Sequence, residues 1–588
     1  MSKKLVVPVV LGAIVLLGCG VLLSQQSAED GKLAKLLESY LDEYWKFYPT
    51  AATLAGFTKY DAKLEDFSEG AIDKHLTNVD KINAELVNKI ARDKLSPAGQ
   101  QDLDLIRNLI DLGQLRLEKI APQQLNPMFY NDIIGKCVPG LLAGGAAPLD
   151  ARVKNAAERI KLLPGFLKQA KENLTNPPKE YTDEATRQFA AILNFYKTQA
   201  ASLVESAGAD AKSKFQAELA KLIPALDDYL KFLQNDLAPK STGSFRLGEA
   251  HQRLLQLTTL GTIPLTDLQQ NALADFKNIR RAMLLVSAQF YKIMDPKFDI
   301  DKVSNVSEDT LTNNVVPHVL ERINNGAAAR APFLERVKNA AAEIKAFLDQ
   351  TKLFDVPAEV PAVEAMPAAL PNQMLASLLT PNPYEQAGTF TVLINPDADA
   401  LAGEAAQGFQ AEFNDYFLKM WTVINVYPGP FVPTVATRKN ARLIHKMMPN
   451  LPLEEGWPVY AADMFIPAGF GKYDLKLLLN QLKMQMRPAI DFVVELQAHE
   501  GNMTKEDAIR LMTVTGFRNA ADAERTWNTI VLHPLDSMYA YIGYREILEM
   551  EGEYKNAKGE GFSKKEFLQK LISFGPLPFR ELKAKVLQ

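Results

Sequence analysis

From Lys32 to Tyr44 the chain reads KLAKLLESYLDEY, with Leu33, Leu36, Leu37, Tyr40, Leu41 and Tyr44 recurring every three to four residues. At 3.6 residues per turn that spacing paints one apolar face, so the stretch predicts an amphipathic helix. The same period runs through RVKNAAERIKLLPGFLKQAKENL (152–174), FQAELAKLIPALDDYLKFLQNDL (215–237), LERVKNAAAEIKAFLDQTKLF (334–354) and GFQAEFNDYFLKMWTVI (408–424). The fold class is therefore mainly α. Pro164 and Pro224 fall inside these patterns and predict kinks or short breaks, because proline lacks the backbone donor a helix interior uses.

One segment breaks the pattern. Residues 355–396 are rich in proline and close on GTFTVLIN, a β-branched run of strand length. A small sheet with irregular connections is expected there, between a helical region at 32–354 and a second at 397–588; a flexible linker is the alternative. No solenoid period is visible.

The 588 residues are 47% hydrophobic and 23% charged, with 66 basic residues against 70 acidic and a net charge of −4. This is globular composition with no global field to draw it to nucleic acid, which is an unlikely class of partner. Lys3 and Lys4 precede an uncharged, mostly apolar run from Leu5 to Ser24. Residues 1–24 read as an export segment in one of three ways. LLGC (Leu16 to Cys19) resembles a lipobox, with cleavage before Cys19 and acylation of its thiol. The run also has the length of a membrane-spanning signal anchor, and a simple cleaved signal is the third option. In each case the remainder lies outside the inner membrane, facing the periplasmic or extracytoplasmic side. Only one other cysteine exists, Cys137. A lipidated Cys19 leaves it no partner, and a lone thiol in an apolar setting reads as a small core residue.

Separated motifs then fall in a recognisable order. YPTAATLAGFTKYDAKLEDFS (48–68) supplies Pro49, Ala52, Thr53, Gly56, Tyr60, Asp61, Asp66 and Ser68. RIKLLPGFLKQAKENL, GSFRLGEAHQRLL, EEGWPVYAADM, FVVELQAHEGNMTKEDAI, HPLDSMYAYIGYREIL and FLQKLISFGPLPFREL follow. Over residues 32–588 the chain resembles the bacterial domain of unknown function 885 family, exported proteins whose better-kept members look like zinc metallopeptidases. The resemblance implies a metallopeptidase-like helical domain with a zinc run, His-Glu-x-x-Pro-Gly-His, followed by Glu-Gly-Trp.

This chain departs from that run. Its counterpart is INVYPGPF (424–431), where Ile424, Asn425 and Pro430 stand at the positions of the first His, the Glu and the second His. Isoleucine and proline offer no lone pair to a metal, and the amide of Asn425 is no base. Ala462 replaces the last Glu of Glu-Gly-Trp-x-x-Tyr-x-Glu, and Leu568 replaces a later His. The resemblance so implies that zinc, expected for the family, is not held here and that no catalytic or metal residue remains at Ile424, Asn425, Pro430 and Leu568. Glu455 is kept, and Tyr427, Glu455, Trp457, Tyr460, His499 and Tyr541 are expected to line an inherited cleft for a peptide-like ligand or an envelope-protein partner.

Two other readings stay open. A hydrolase could be rebuilt around Glu455, Asp463, His499 and Tyr541, or the cleft could have filled to leave a structural envelope component. A relocated metal site from His445, Glu455, His499 and His533 is neither forbidden nor supported by their spacing. HEGNM at His499 places Met503 where HExxH needs its second ligand. There is no G-x-S-x-G elbow and no glycine-rich phosphate loop.

Overall fold

The computed structural model describes residues 28–143, 147–294, 306–324, 331–366, 375–382, 384, 389–401, 403–440, 442–575 and 577–588. Residues 1–24, including Cys19, lie outside the described residues. No described helix is long and apolar enough to cross a membrane.

The periodic segments are helices. Ala28–Phe47 contains the opening stretch and buries Leu33, Tyr40 and Leu41. Leu149–Asn173 and Ala209–Lys231 run unbroken through Pro164 and Pro224, which corrects the expected breaks. These two helices pack on one another, and buried Ile160, Leu163, Leu222 and Leu226 share one apolar cluster. Burial of that face offsets the one backbone bond each proline removes.

Capping side chains start several helices of the second half. Asn414 accepts from the amides of Tyr416 and Phe417, Asn450 from Leu453, Asp474 from Lys476 and Asn519 from Asp522. Each satisfies a donor left open at a helix start.

The small sheet is present. β1 (Ala362–Ala365), β2 (Ala376–Leu379) and β3 (Thr391–Ile394) lie in the order β1-β3-β2. β1 runs parallel to β3 with Ala362 opposite Thr391, and β2 antiparallel with Ala376 opposite Ile394. Val392, Leu393 and Ile394 are buried, which is why the sheet is anchored by GTFTVLIN.

The YPTAATLAGFTKYDAKLEDFS motif is a structural lock. Arg159, fully buried, donates to the carbonyls of Lys63, Cys137 and Pro49 at 2.9, 2.8 and 3.0 Å and to Thr53 Oγ1 at 2.6 Å. Thr53 in turn donates to Asp61 at 2.7 Å, and Glu65 accepts from the amide and hydroxyl of Thr50. Cys137 is buried against Tyr196, and burial pushes its thiol up to about 11, which leaves it inert.

Candidate functional site

Helix Asp415–Asn425 buries Phe417, Leu418, Met420, Trp421 and Val423 and leads into the INVYPGPF turn. The amide of Tyr427 bonds to the carbonyl of Thr422 and that of Gly429 to Val423, both at 2.9 Å, folding the chain back onto the helix end. The Tyr427–Pro428 peptide is cis. A Cβ on Gly429 would stand 2.5 Å from the carbonyl oxygen of Ile424, so only glycine fits this approach. Helix Phe431–Asn440 follows directly.

The turn carries no metal donors. Ile424 packs against the large apolar cluster of the second half, and Asn425 spends its amide on the carbonyl of Trp421 at 3.0 Å. Leu568 is 1% exposed in the same cluster. The residues present do not fit zinc at this turn.

Three of the expected cleft residues are core instead. Tyr427, Trp457 and Tyr460 are each at most 2% exposed and join that apolar cluster. Tyr460 reaches out only through its hydroxyl, which donates to Glu551 at 2.8 Å. Their burial corrects the expectation that they line an open cleft: large rings gain more from close packing than from a wet wall.

The acids behave differently. Helix Leu451–Phe465 crosses helix Tyr539–Lys558 so closely that a Cβ on Gly456 would lie 2.3 Å from the backbone of Gly543. The glycine of Glu-Gly-Trp thus serves a helix crossing. Glu455 is exposed as a residue, while the protein around its carboxyl takes away part of its solvation. That lost solvation, with the negative charge of Asp536, pushes it up to about 7. Asp463, half-buried, accepts from Tyr544 at 2.7 Å and from Gln485. Burial pushes it up to about 6 against these two bonds, and Asp275 adds to the rise. Tyr541 is buried and donates to Asp275 at 2.8 Å, where Arg545 also binds at 3.3 Å. The structure therefore links Asp463 and Tyr541 only through their neighbours Tyr544, Asp275 and Arg545.

His499 belongs to another group. It ends helix Leu475–His499, stacks on His251 of helix Glu249–Thr259 with ring centres 4.7 Å apart, and faces Glu495 one turn earlier. Among the described residues, His251, Glu495 and His499 are the one set whose donor atoms converge as metal ligands would, all within 4.8 Å of one another. His445 instead lies beside Arg442 and Asp102, where burial lowers it to about 4, and neither it nor His533 joins the set. The relocated site as first drawn is corrected: only His499 of its four residues takes part. His251 was missed because 244 residues separate it from Glu495. The i, i+4 spacing in ELQAH carried the available signal.

An open concavity of ≈ 790 Å³ lies past the end of the same helix, walled by Gln497, Gly501, Asn502, Met503, Asp507 and Arg510. None of its walls comes from the 424–430 turn.

Helices and, among the described residues, one three-stranded sheet make a mainly α fold that solved bacterial proteins share. A protein from Shewanella oneidensis described as a "putative lipoprotein of unknown function" shares it with a TM-score of 0.80 at 23% identity, over 95% of this chain and 100% of that one. A "putative lipoprotein" from Colwellia psychrerythraea does so at 0.73 and 15% identity, over 95% and 99%. At such identities the likeness concerns the fold. The chain belongs to the DUF885 family, described as bacterial protein of unknown function, whose pattern matches residues 49–586. No curated protein matches it.

Proposed function

We propose that this protein is a lipid-anchored component of the bacterial cell envelope, held by acylated Cys19, that binds a positively charged peptide-like ligand and does not hydrolyse it. The observation that carries the reading is the contrast between the Pro-Gly turn and a set of acids elsewhere in the second half. The turn positions Ile424, Asn425 and Pro430 hold no metal donor or base, and Leu568 is core. The acids Glu455, Asp463 and Asp536 have raised pKa values, chiefly because the protein around them removes solvent, and the neighbouring charges of Asp536 and Asp275 add to the rise at Glu455 and Asp463. A ligand amine or guanidinium would supply the missing partner. The lipobox-like LLGC and the two lipoprotein-described neighbours support the anchor.

Calorimetric titration of the full chain in detergent with a short lysine-rich peptide and a glutamate-rich one tests the ligand. Binding of the basic peptide alone, weakened at least about tenfold by Asp463→Asn, is expected, since losing one charge-assisted contact costs about 1.4 kcal/mol or more. Equal binding of both peptides, or no effect of the substitution, would sink it. Membrane fractionation of Cys19→Ala tests the anchor; unchanged membrane retention with no acylated species would contradict it.

A further inference from the structure

We propose that His251, Glu495 and His499 form a binding site for one divalent transition-metal ion, with zinc the best match to two imidazoles and a carboxylate. The site is separate from the 424–430 turn, while Asp536 of the acids above lies in the 533–538 loop that Glu495 holds.

The argument begins with protons. His499 Nε2 lies 2.9 Å from the carbonyl oxygen of Ile530, and a carbonyl can only accept, so Nε2 carries the hydrogen. Nδ1 is then a bare lone pair. It is buried, with no protein partner, on a residue 1% exposed. A buried acceptor without a donor costs about 1–3 kcal/mol, so such atoms call for an explanation.

His251 repeats the pattern. Its Nδ1 lies 2.9 Å from Glu500 Oε1, a carboxylate that also accepts from Gln252, so Nδ1 donates. Nε2 faces the Glu495 carboxylate at 3.5 Å, and once the ring gives up the proton between them it offers a second lone pair. Glu495 is fully buried and held by the amides of Leu535 and Ser537. Two nitrogen lone pairs and a carboxylate thus converge in a space from which water is largely excluded.

Only a cation resolves three converging acceptors. A proton on His251 Nε2 would satisfy Glu495 but leave His499 Nδ1 orphaned; a metal satisfies all three. The outer partners are those metal sites use, since Ile530 and Glu500 fix the tautomer and aim of each imidazole. Four-coordinate zinc with bonds of about 2.0–2.2 Å sets its ligand atoms roughly 3.4 Å apart, so donors within 4.8 Å of one another must close by up to about 1.4 Å. Such an ion would tie helix Glu249–Thr259 to helix Leu475–His499 and to the 533–538 loop that Glu495 anchors.

The test uses the full chain in detergent, stripped with chelator, loaded with zinc and desalted. The expected result is about one zinc per chain in the wild type and under about 0.2 in His499→Gln and Glu495→Gln, with a rise in unfolding temperature on loading only in the wild type. Cobalt loading of the unaltered chain gives a readout that no folding defect can spoil: strong visible d–d bands of low-coordinate cobalt are expected. A wild type that retains no zinc, or a cobalt spectrum of the free aquo ion, would show that a proton occupies the site. Zinc retained equally by both variants would place the ion elsewhere and overturn the assignment.

Discussion

Helix Tyr539–Lys558 contains two glycines whose replacement by alanine should act in opposite directions. A Cβ on Gly543 would stand 1.6 Å from the carbonyl oxygen of Pro452, roughly 2 Å short of ordinary contact. The obstacle is backbone on both sides, so it cannot be relieved by a rotamer change. Gly543→Ala must push helix Leu451–Phe465 away, at an overpacking cost of about 3 kcal/mol, the upper end of the usual range. Subtracting the roughly 1 kcal/mol that alanine gains over glycine in a helix leaves about 2 kcal/mol of net destabilisation. Gly552 has nothing within 4 Å of its would-be Cβ, so Gly552→Ala should keep that gain. A cooperative unit of 588 residues has an unfolding entropy of about 1.2 kcal/mol/K, so the two variants should move Tm by about −2 and +1 °C in scanning calorimetry. The same separation moves Glu455 away from Asp536, so Gly543→Ala should also weaken basic-peptide binding while Gly552→Ala leaves it intact. Equal upward shifts in both variants would refute the close crossing.

Further outcomes follow from buried charge. Arg159→Met leaves three carbonyls and a hydroxyl without their donor, and urea unfolding should show a loss of about 3–5 kcal/mol; a change below about 1 would mean that the lock is not needed. Asp522 is held down to about 2: burial opposes the shift, but Arg487, Arg518, Arg525 and Lys483 outweigh it. Because the folded value lies below the unfolded one of about 3.9, its stabilisation is present above pH ~4 and is lost as pH falls towards 2. Asp522→Asn should cost about 2 kcal/mol at pH 7, and the gap from wild type should close near pH 2. Glu455 and Asp463, pushed up to about 7 and about 6, gain protons as pH falls from 8 to 5, so affinity for a basic peptide should drop across that window. Affinity that is flat or rising towards pH 5 would separate these acids from the ligand.

The helices were legible because apolar spacing reports burial directly, from Leu33 and Tyr40 at one end to Phe417 and Trp421 at the other. The sheet was legible through TVLI, while its partners AVEA and ASLL are too short and mixed to announce themselves. Pro164 and Pro224 misled because tertiary burial outweighed a local cost. Motif comparison singled out the turn, and the close approach of Gly429 to the carbonyl of Ile424 shows why a glycine stands there. Sequence could not say that Trp457 and Tyr460 face inward, since an aromatic stripe looks alike in a cleft and a core. The His251–Glu495–His499 group was hidden by chain distance, since His251 lies in a helix 244 residues before Glu495.

The claim that binding replaced hydrolysis at the Pro-Gly turn is tested most directly by incubating the zinc-loaded full chain with a diverse peptide mixture and reading products by mass spectrometry. The account predicts that every peptide returns intact, with basic ones enriched on the protein. Multiple-turnover cleavage that weakens when Asn425 is changed to alanine would contradict it.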